Sequence, residues 1–138
     1  MPSVDLARCV LLGDPHQGLT EGVRGLLETT FDTVFMVADE ASLLAGARSL
    51  SPAVIVADLS LAPGDAMGFV RRLRAGAGTA RLLLLSAHDD AVVVKAALAA
   101  GADGVVLKRT IATDLLQGVD SLLAGQIYVS PAMRGAPH

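Results

Sequence analysis

A chain of 138 residues can bury one sizeable core but is short for several domains. It is rich in Ala, Leu and Val, with only 3% aromatic residues, a composition that suits parallel strands covered by helices. The net charge of −3 and the lack of a basic run argue against a nucleic-acid surface on this chain alone, and no apolar stretch approaches the roughly 20 residues of a transmembrane helix.

The first residues, "MPSVDLARCV", lack the layout of a signal peptide, so a cytoplasmic protein is expected. Cys9 is the only cysteine, which rules out an internal disulfide, and it is read as a small buried hydrophobe. "RCVLLG" (8–13) is the first strand candidate, and Leu19, Val23, Leu26 and Leu27 form the stripe of the helix after it. "TVFMVA" (33–38) is the second strand, and Leu43, Leu44, Ala47 and Leu50 follow on one helical face. "AVIVA" (53–57) precedes Met67, Val70 and Leu73; "RLLLLS" (81–86) precedes Val94, Ala97, Leu98 and Gly101. "GVVLK" (104–108) leads to the last stripe, Leu115, Leu116, Val119, Leu122 and Leu123. Asp39, Ser42 and Asp89 are candidate N-caps, and Gly101 and Gly125 stand where helices should end. Periodicity is lost at Pro131, so residues 1–126 are read as one domain and 127–138 as a fraying tail or the start of a linker.

Five βα units imply a doubly wound α/β sandwich, and the order 2-1-3-4-5 is one of the two common arrangements. In that order the carboxyl ends of strands 1, 3, 4 and 5 are neighbours. They carry Asp14, Asp58, Ser86 and Lys108. A single strand-end Asp is often a turn former. Four polar ends on one rim point instead to phosphoryl acceptance: a carboxylate nucleophile, an ammonium and a hydroxyl for the phosphoryl oxygens, and carboxylates for a magnesium ion.

With these residues the chain resembles the receiver domain of two-component response regulators, most closely those followed by a LuxR-type helix-turn-helix. The matching stretches are "VLLGDPHQGLTEGVRGLLE", "PAVIVADLSLAPGDAMGFVRRLR", "RLLLLSAHDDAVVVKAALAAGADGVVLK" and "DLLQGVDSLLAGQIYVSP", from about residue 9 to 131. The resemblance implies the flavodoxin-like receiver fold with a five-stranded parallel sheet. It implies that Asp58 accepts a phosphoryl group from a sensor histidine kinase, that Lys108 binds it, and that Ser86 follows it on activation. Asp14 matches the first of an acidic pair, and the backbone carbonyl of Ser60 matches a magnesium ligand. The implied module is a signalling switch rather than an enzyme, with transcription as output. The implied partners are the kinase and a second copy in a homodimer. DNA would be reached only through an output domain after His138, and no membrane is involved.

Three positions depart from the family. Pro15 stands where the second carboxylate, the direct metal ligand, is usual, so magnesium binding is expected to be weak. Val105 replaces a ring that commonly reports phosphorylation. Arg109 adds a charge beside Lys108 and is read as solvated. His16 is read as a helix-start residue, and His88 and Asp89 as turn and cap. These departures keep a second reading open, a pseudo-receiver that binds proteins without magnesium-dependent phosphorylation. Cobalamin binding fails because Gly18 of "DPHQGL" comes one residue early and the partnering Gly-Gly is missing. A haloacid-type phosphatase fails because position 60 is Ser rather than Asp.

Overall fold

The computed structural model describes residues 9–134, without the side chains of residues 17–20. The expectations placed on Arg8, on the Leu19 side chain and on both chain ends lie outside these residues. Strands β1 (Cys9–Gly13), β2 (Thr33–Val37), β3 (Val54–Asp58), β4 (Arg81–Ser86) and β5 (Gly104–Leu107) alternate with helices α1 (Gln17–Leu27), α2 (Glu40–Leu50), α3 (Ala66–Gly76), α4 (Ala91–Ala99) and α5 (Ile111–Leu123). A short strand β6 (Tyr128–Val129) follows. The sheet order is β2-β1-β3-β4-β5-β6, and every pairing is parallel.

The inner strands are almost wholly apolar because the sheet is buried on both faces there. Successive residues serve opposite cores. Leu11, Ile55, Leu82, Leu84 and Val105 pack with Leu43, Phe69, Val70, Leu73 and Ala97 of α2, α3 and α4. Val10, Leu12, Val56, Leu83, Leu85 and Val106 pack with Val23, Leu27, Leu115, Val119 and Leu122 of α1 and α5. Leu82, Leu83, Leu84 and Leu85 are all 0% exposed, and each such side chain contributes about 1.5–3 kcal/mol through burial.

The structure differs from the sequence reading in four places. β2 is an edge strand with one neighbour, so it is only half-covered, and Phe35 and Met36 are exposed. Leu123, counted in the α5 stripe, ends the helix beyond the packed face and is exposed. The cap of α4 is Asp90, whose carboxylate accepts from the Val92 N–H at 2.9 Å. Asp89 instead holds Arg109 at 3.0 Å on the surface. Finally, the sheet has one strand more than the five expected. Tyr128 and Val129 pair with Gly104 and Val105, and the turn Pro131–Met133 buries Met133. Two residues are too few to show a period, which hides β6 from sequence patterning.

Other punctuation follows the expectation. Asp39 caps α2 by accepting from the Ser42 N–H at 2.8 Å, so Ser42 is the donor rather than a second cap. Gly101 (φ +117°) and Gly125 (φ +81°) follow the last turns of α4 and α5 in a conformation that favours glycine.

Candidate functional site

The register of the sheet brings the carboxyl ends of β1, β3, β4 and β5 to one rim. Asp58 is the last residue of β3 and lies level with Leu85; Ser86 is the last of β4 and lies level with Leu107. Lys108 follows β5 at the start of a 3-10 turn. Asp14 follows β1, and its N–H donates to the Val37 carbonyl of β2 at 3.1 Å, which extends the ladder by one residue and fixes the carboxylate.

Asp14 and Asp58 are held by the same local device. The Asp14 Oδ1 accepts from the His16 N–H at 2.7 Å, and the Asp58 Oδ1 accepts from the Ser60 N–H at 2.9 Å. Each is an Asx turn, in which a carboxylate bonds its own backbone two residues on. Proline suits the middle of such a turn because its φ is already set. Pro15 therefore has a structural use in shaping the β1–α1 connection, although it brings no carboxylate.

Both carboxylates are buried, Asp14 at 3% and Asp58 at 1% exposure. The Lys108 ammonium donates to the Asp58 Oδ2 at 2.5 Å, compensating one of the two buried charges. The Ser86 hydroxyl donates to the His88 carbonyl at 2.9 Å and accepts from the His88 N–H at 3.2 Å. A cavity of about 630 Å³ opens over the rim, lined among others by His16, Asp58, Ser60, Ser86, His88 and Lys108. A phosphoryl-sized group entering it meets a carboxylate oxygen, an ammonium and a hydroxyl.

Asp14, Asp58, Ser60, Ser86 and Lys108 thus lie at this rim. Arg109 does not: its guanidinium is paired with Asp89 at the surface, and that contact holds the Asp89 carboxyl below the ordinary range. Val105 is 0% exposed within the core beneath α4, where a fixed aliphatic side chain has no rotation to report. His16 is the residue whose part in the site sequence reasoning missed. It does precede α1 as expected, but one ring nitrogen also comes within 4.8 Å of ligand oxygens of Asp14 and Asp58. The signal was the Asp-x-His spacing after a strand, because an Asx turn folds the residue two positions on back towards the carboxylate.

The family profile for the response regulator receiver domain matches residues 10–120. The chain belongs to this family. The receiver is 32% identical over 128 residues to a nitrate/nitrite response regulator protein homolog of Haemophilus influenzae, covering 91% of this chain and 61% of that protein. It is 31% identical over 128 residues to a probable transcriptional regulatory protein NarL of Mycobacterium tuberculosis, covering 91% and 59%. Among solved structures it resembles a LuxR-family two-component response regulator from Aurantimonas sp. SI85-9A1, with 29% identity, a TM-score of 0.82 and 91% of each chain covered. The receiver spans about three fifths of the length of these curated relatives. No helix among its described residues is long and apolar enough to cross a membrane.

Receiver domains bind Mg²⁺ at an acidic pocket. The residues present fit a divalent cation in one decisive respect: the Asp14 Oδ2 is buried and has no hydrogen-bond partner among the described residues. A buried carboxylate oxygen left in that state costs free energy that a cation would recover. The fit to Mg²⁺ itself is poorer. Pro15 contributes no oxygen, and the third side-chain donor within reach is an imidazole.

Proposed function

We propose that this receiver accepts a phosphoryl group on Asp58 from a histidine kinase and switches an output, with transcription the output class of the regulators it is similar to. The observation that carries the reading is the Lys108 ammonium against the Asp58 Oδ2 beneath a cavity that Ser86 also lines. In the transfer, an Asp58 oxygen attacks phosphorus. The bond from phosphorus to the donor nitrogen breaks, and its electron pair returns to the donor's imidazole. Lys108 would move from the carboxylate to a phosphoryl oxygen, and Ser86 would exchange its loop carbonyl for another. Asp14, Asp58 and the Ser60 carbonyl would hold a divalent cation, which neutralises charge on the phosphoryl oxygens when bound. Weak magnesium binding follows from Pro15. A cytoplasmic kinase partner, a homodimer and DNA contact through a separate output domain complete the proposal.

Intact-mass measurement after incubation with acetyl phosphate and divalent cation tests the central step. One added phosphoryl group is expected, and none in Asp58→Asn. An unmodified parent chain across metal concentrations would overturn the reading. Pro15 and Val105 support a second one, a protein-interaction module without metal-dependent phosphorylation, which that outcome would favour.

A further inference from the structure

The short strand β6 ends in a side-chain contact that the phosphoryl chemistry above leaves unused. Its parallel ladder with β5 carries main-chain bonds from the Tyr128 N–H to the Asp103 carbonyl at 3.2 Å and from the Ser130 N–H to the Val105 carbonyl at 3.0 Å. One step on, such a ladder would hand the Leu107 N–H to the Ser130 carbonyl. That carbonyl is taken, because it accepts from the Met133 N–H at 2.8 Å and closes the turn Pro131–Met133. The Ser130 hydroxyl stands in for it and accepts from the Leu107 N–H at 2.9 Å. Ser130 is 0% exposed, so solvent does not offer a substitute acceptor.

Leu107 is where the sheet meets the phosphoryl site. It is the last residue of β5, lies level with Ser86 of β4, and is followed directly by Lys108, whose ammonium holds the Asp58 Oδ2. Lys108 opens the 3-10 turn Lys108–Thr110, and Leu107 is the residue that leads into it. The far end of this turn is fastened as well: the Thr110 hydroxyl donates at 2.5 Å to the buried Asp114 carboxylate of α5. Lys108 thus stands between two fixed points, one on β6 and one on α5. A flexible lysine stem delivers its charge to a defined place only when the backbone that carries it is held. The Ser130 bond is the nearer of the two, one residue from Lys108, and its loss leaves a buried N–H without an acceptor.

We propose that Ser130 is a positioning residue for phosphoryl transfer: its hydroxyl fixes Leu107 and thereby holds the Lys108 ammonium where it meets first the Asp58 carboxylate and then a phosphoryl oxygen. This deepens the function proposed above and rests on it only for the second contact, since the first belongs to the resting chain.

Two readouts on the whole chain test it. In the resting chain, ¹H–¹⁵N spectra at low temperature follow the Lys108 ammonium, whose protons exchange slowly while the ion pair with buried Asp58 holds them. Ser130→Ala is expected to speed that exchange at least about tenfold, because the turn beneath the lysine opens more often. In phosphorylation by acetyl phosphate, followed by intact mass, Ser130→Ala should slow the rate at least about fivefold, and less than about twofold in a Lys108→Ala background, where nothing is left to position. A merely structural role would give the same fold loss in both backgrounds. Arg134→Ala is the control. It removes the 2.7 Å bond from the Arg134 Nε to the Val129 carbonyl, loosening β6 without touching Leu107, and should keep the parent's exchange and rate. Circular dichroism checks each variant's fold, and Ser130→Cys, a near-isostere with a weak acceptor, replaces Ser130→Ala if that chain does not fold. Unchanged ammonium exchange in the Ser130 variant, equal rate losses with and without Lys108, or a matching effect of Arg134→Ala would each overturn the assignment. A parent chain that never gains a phosphoryl group while its Lys108 ammonium still responds to Ser130 would refute the phosphoacceptor reading and keep the link from Ser130 to Lys108. Phosphorylation of the Ser130 variant at the parent's rate would do the reverse.

Discussion

Pro15 concentrates the conflict between structure and chemistry in this receiver. It fits the turn that orients Asp14, and it is exposed at the position where a second carboxylate would serve a magnesium ion. Pro15→Asp is expected to raise Mg²⁺ affinity at least about tenfold, about 1.4 kcal/mol, because another anionic oxygen joins two that are present. Uptake of beryllofluoride should then require less metal, and Asp58→Asn in the same background should abolish it. Calorimetry of the parent and Pro15→Asp chains checks this, and coincident isotherms would mean that position 15 does not face the ion.

At the scale of elements, small contacts decide how the units close. The Asp39 cap of α2 is the clearest electrostatic case. The Ser42 backbone N–H holds the Asp39 carboxyl below its ordinary value. A depressed folded value means that the stabilisation is fully present above the unfolded value of about 3.9 and is lost as pH falls through the folded one. Asp39→Asn keeps a capping oxygen but cannot titrate. Urea midpoints for the variant should stay close to the parent's at pH 7 and fall less steeply below about pH 4, where the parent's cap titrates. Parallel acid limbs for the two chains would remove Asp39 from the account. The β5–β6 pairing depends on the absence of a side chain at Gly104. A Cβ there would lie 2.8 Å from the Leu83 Cδ1 and 2.9 Å from the Tyr128 carbonyl oxygen. Since that second neighbour is backbone, Gly104→Ala should cost about 1–3 kcal/mol, read from urea unfolding. An unchanged midpoint would show that β6 yields without loss.

For the molecule as a whole, the two cores on either side of the sheet account for most of the apolar residues, and what is left over lies at the margins. Phe35 and Met36 on the β2 edge and Val92 on α4 remain exposed. Scattered singly, apolar residues of this kind are ordinary on a protein surface and build no large patch, so the pairing implied by the resemblance gains no strong interface from them. A weak homodimer is therefore expected, with sedimentation equilibrium at high micromolar concentration as the measurement. A strict monomer across that range would dismiss it.

Much of this architecture could be read before any contact was seen. Strands such as "RLLLLS" are short and almost wholly apolar, and the stripes Leu43–Ala47 and Leu115–Val119–Leu122 repeat at the helical period, because burial on a sheet and on a helix face imposes those patterns locally. Asp14, Asp58, Ser86 and Lys108 were legible for the same reason: each ends or directly follows a strand, and parallel order brings strand ends together. Proximity that depends on the path of the chain was not legible. β6 exists because Gly104 leaves room for the Tyr128 carbonyl, a fact about two residues far apart in sequence. Asp114 of α5 is buried and accepts from the Thr110 hydroxyl at 2.5 Å, an internal pairing that nothing in the helical period announces. His16 looks like an ordinary helix-start residue until the Asx turn brings its ring to two carboxylates. By itself the sequence determined the elements, their class and the polar strand ends, through periodicities that act over a few residues. Only the tertiary structure decided which edge lies bare, which extra strand closes the sheet and which nitrogen joins the carboxylates, because each depends on distances between segments that no local pattern encodes.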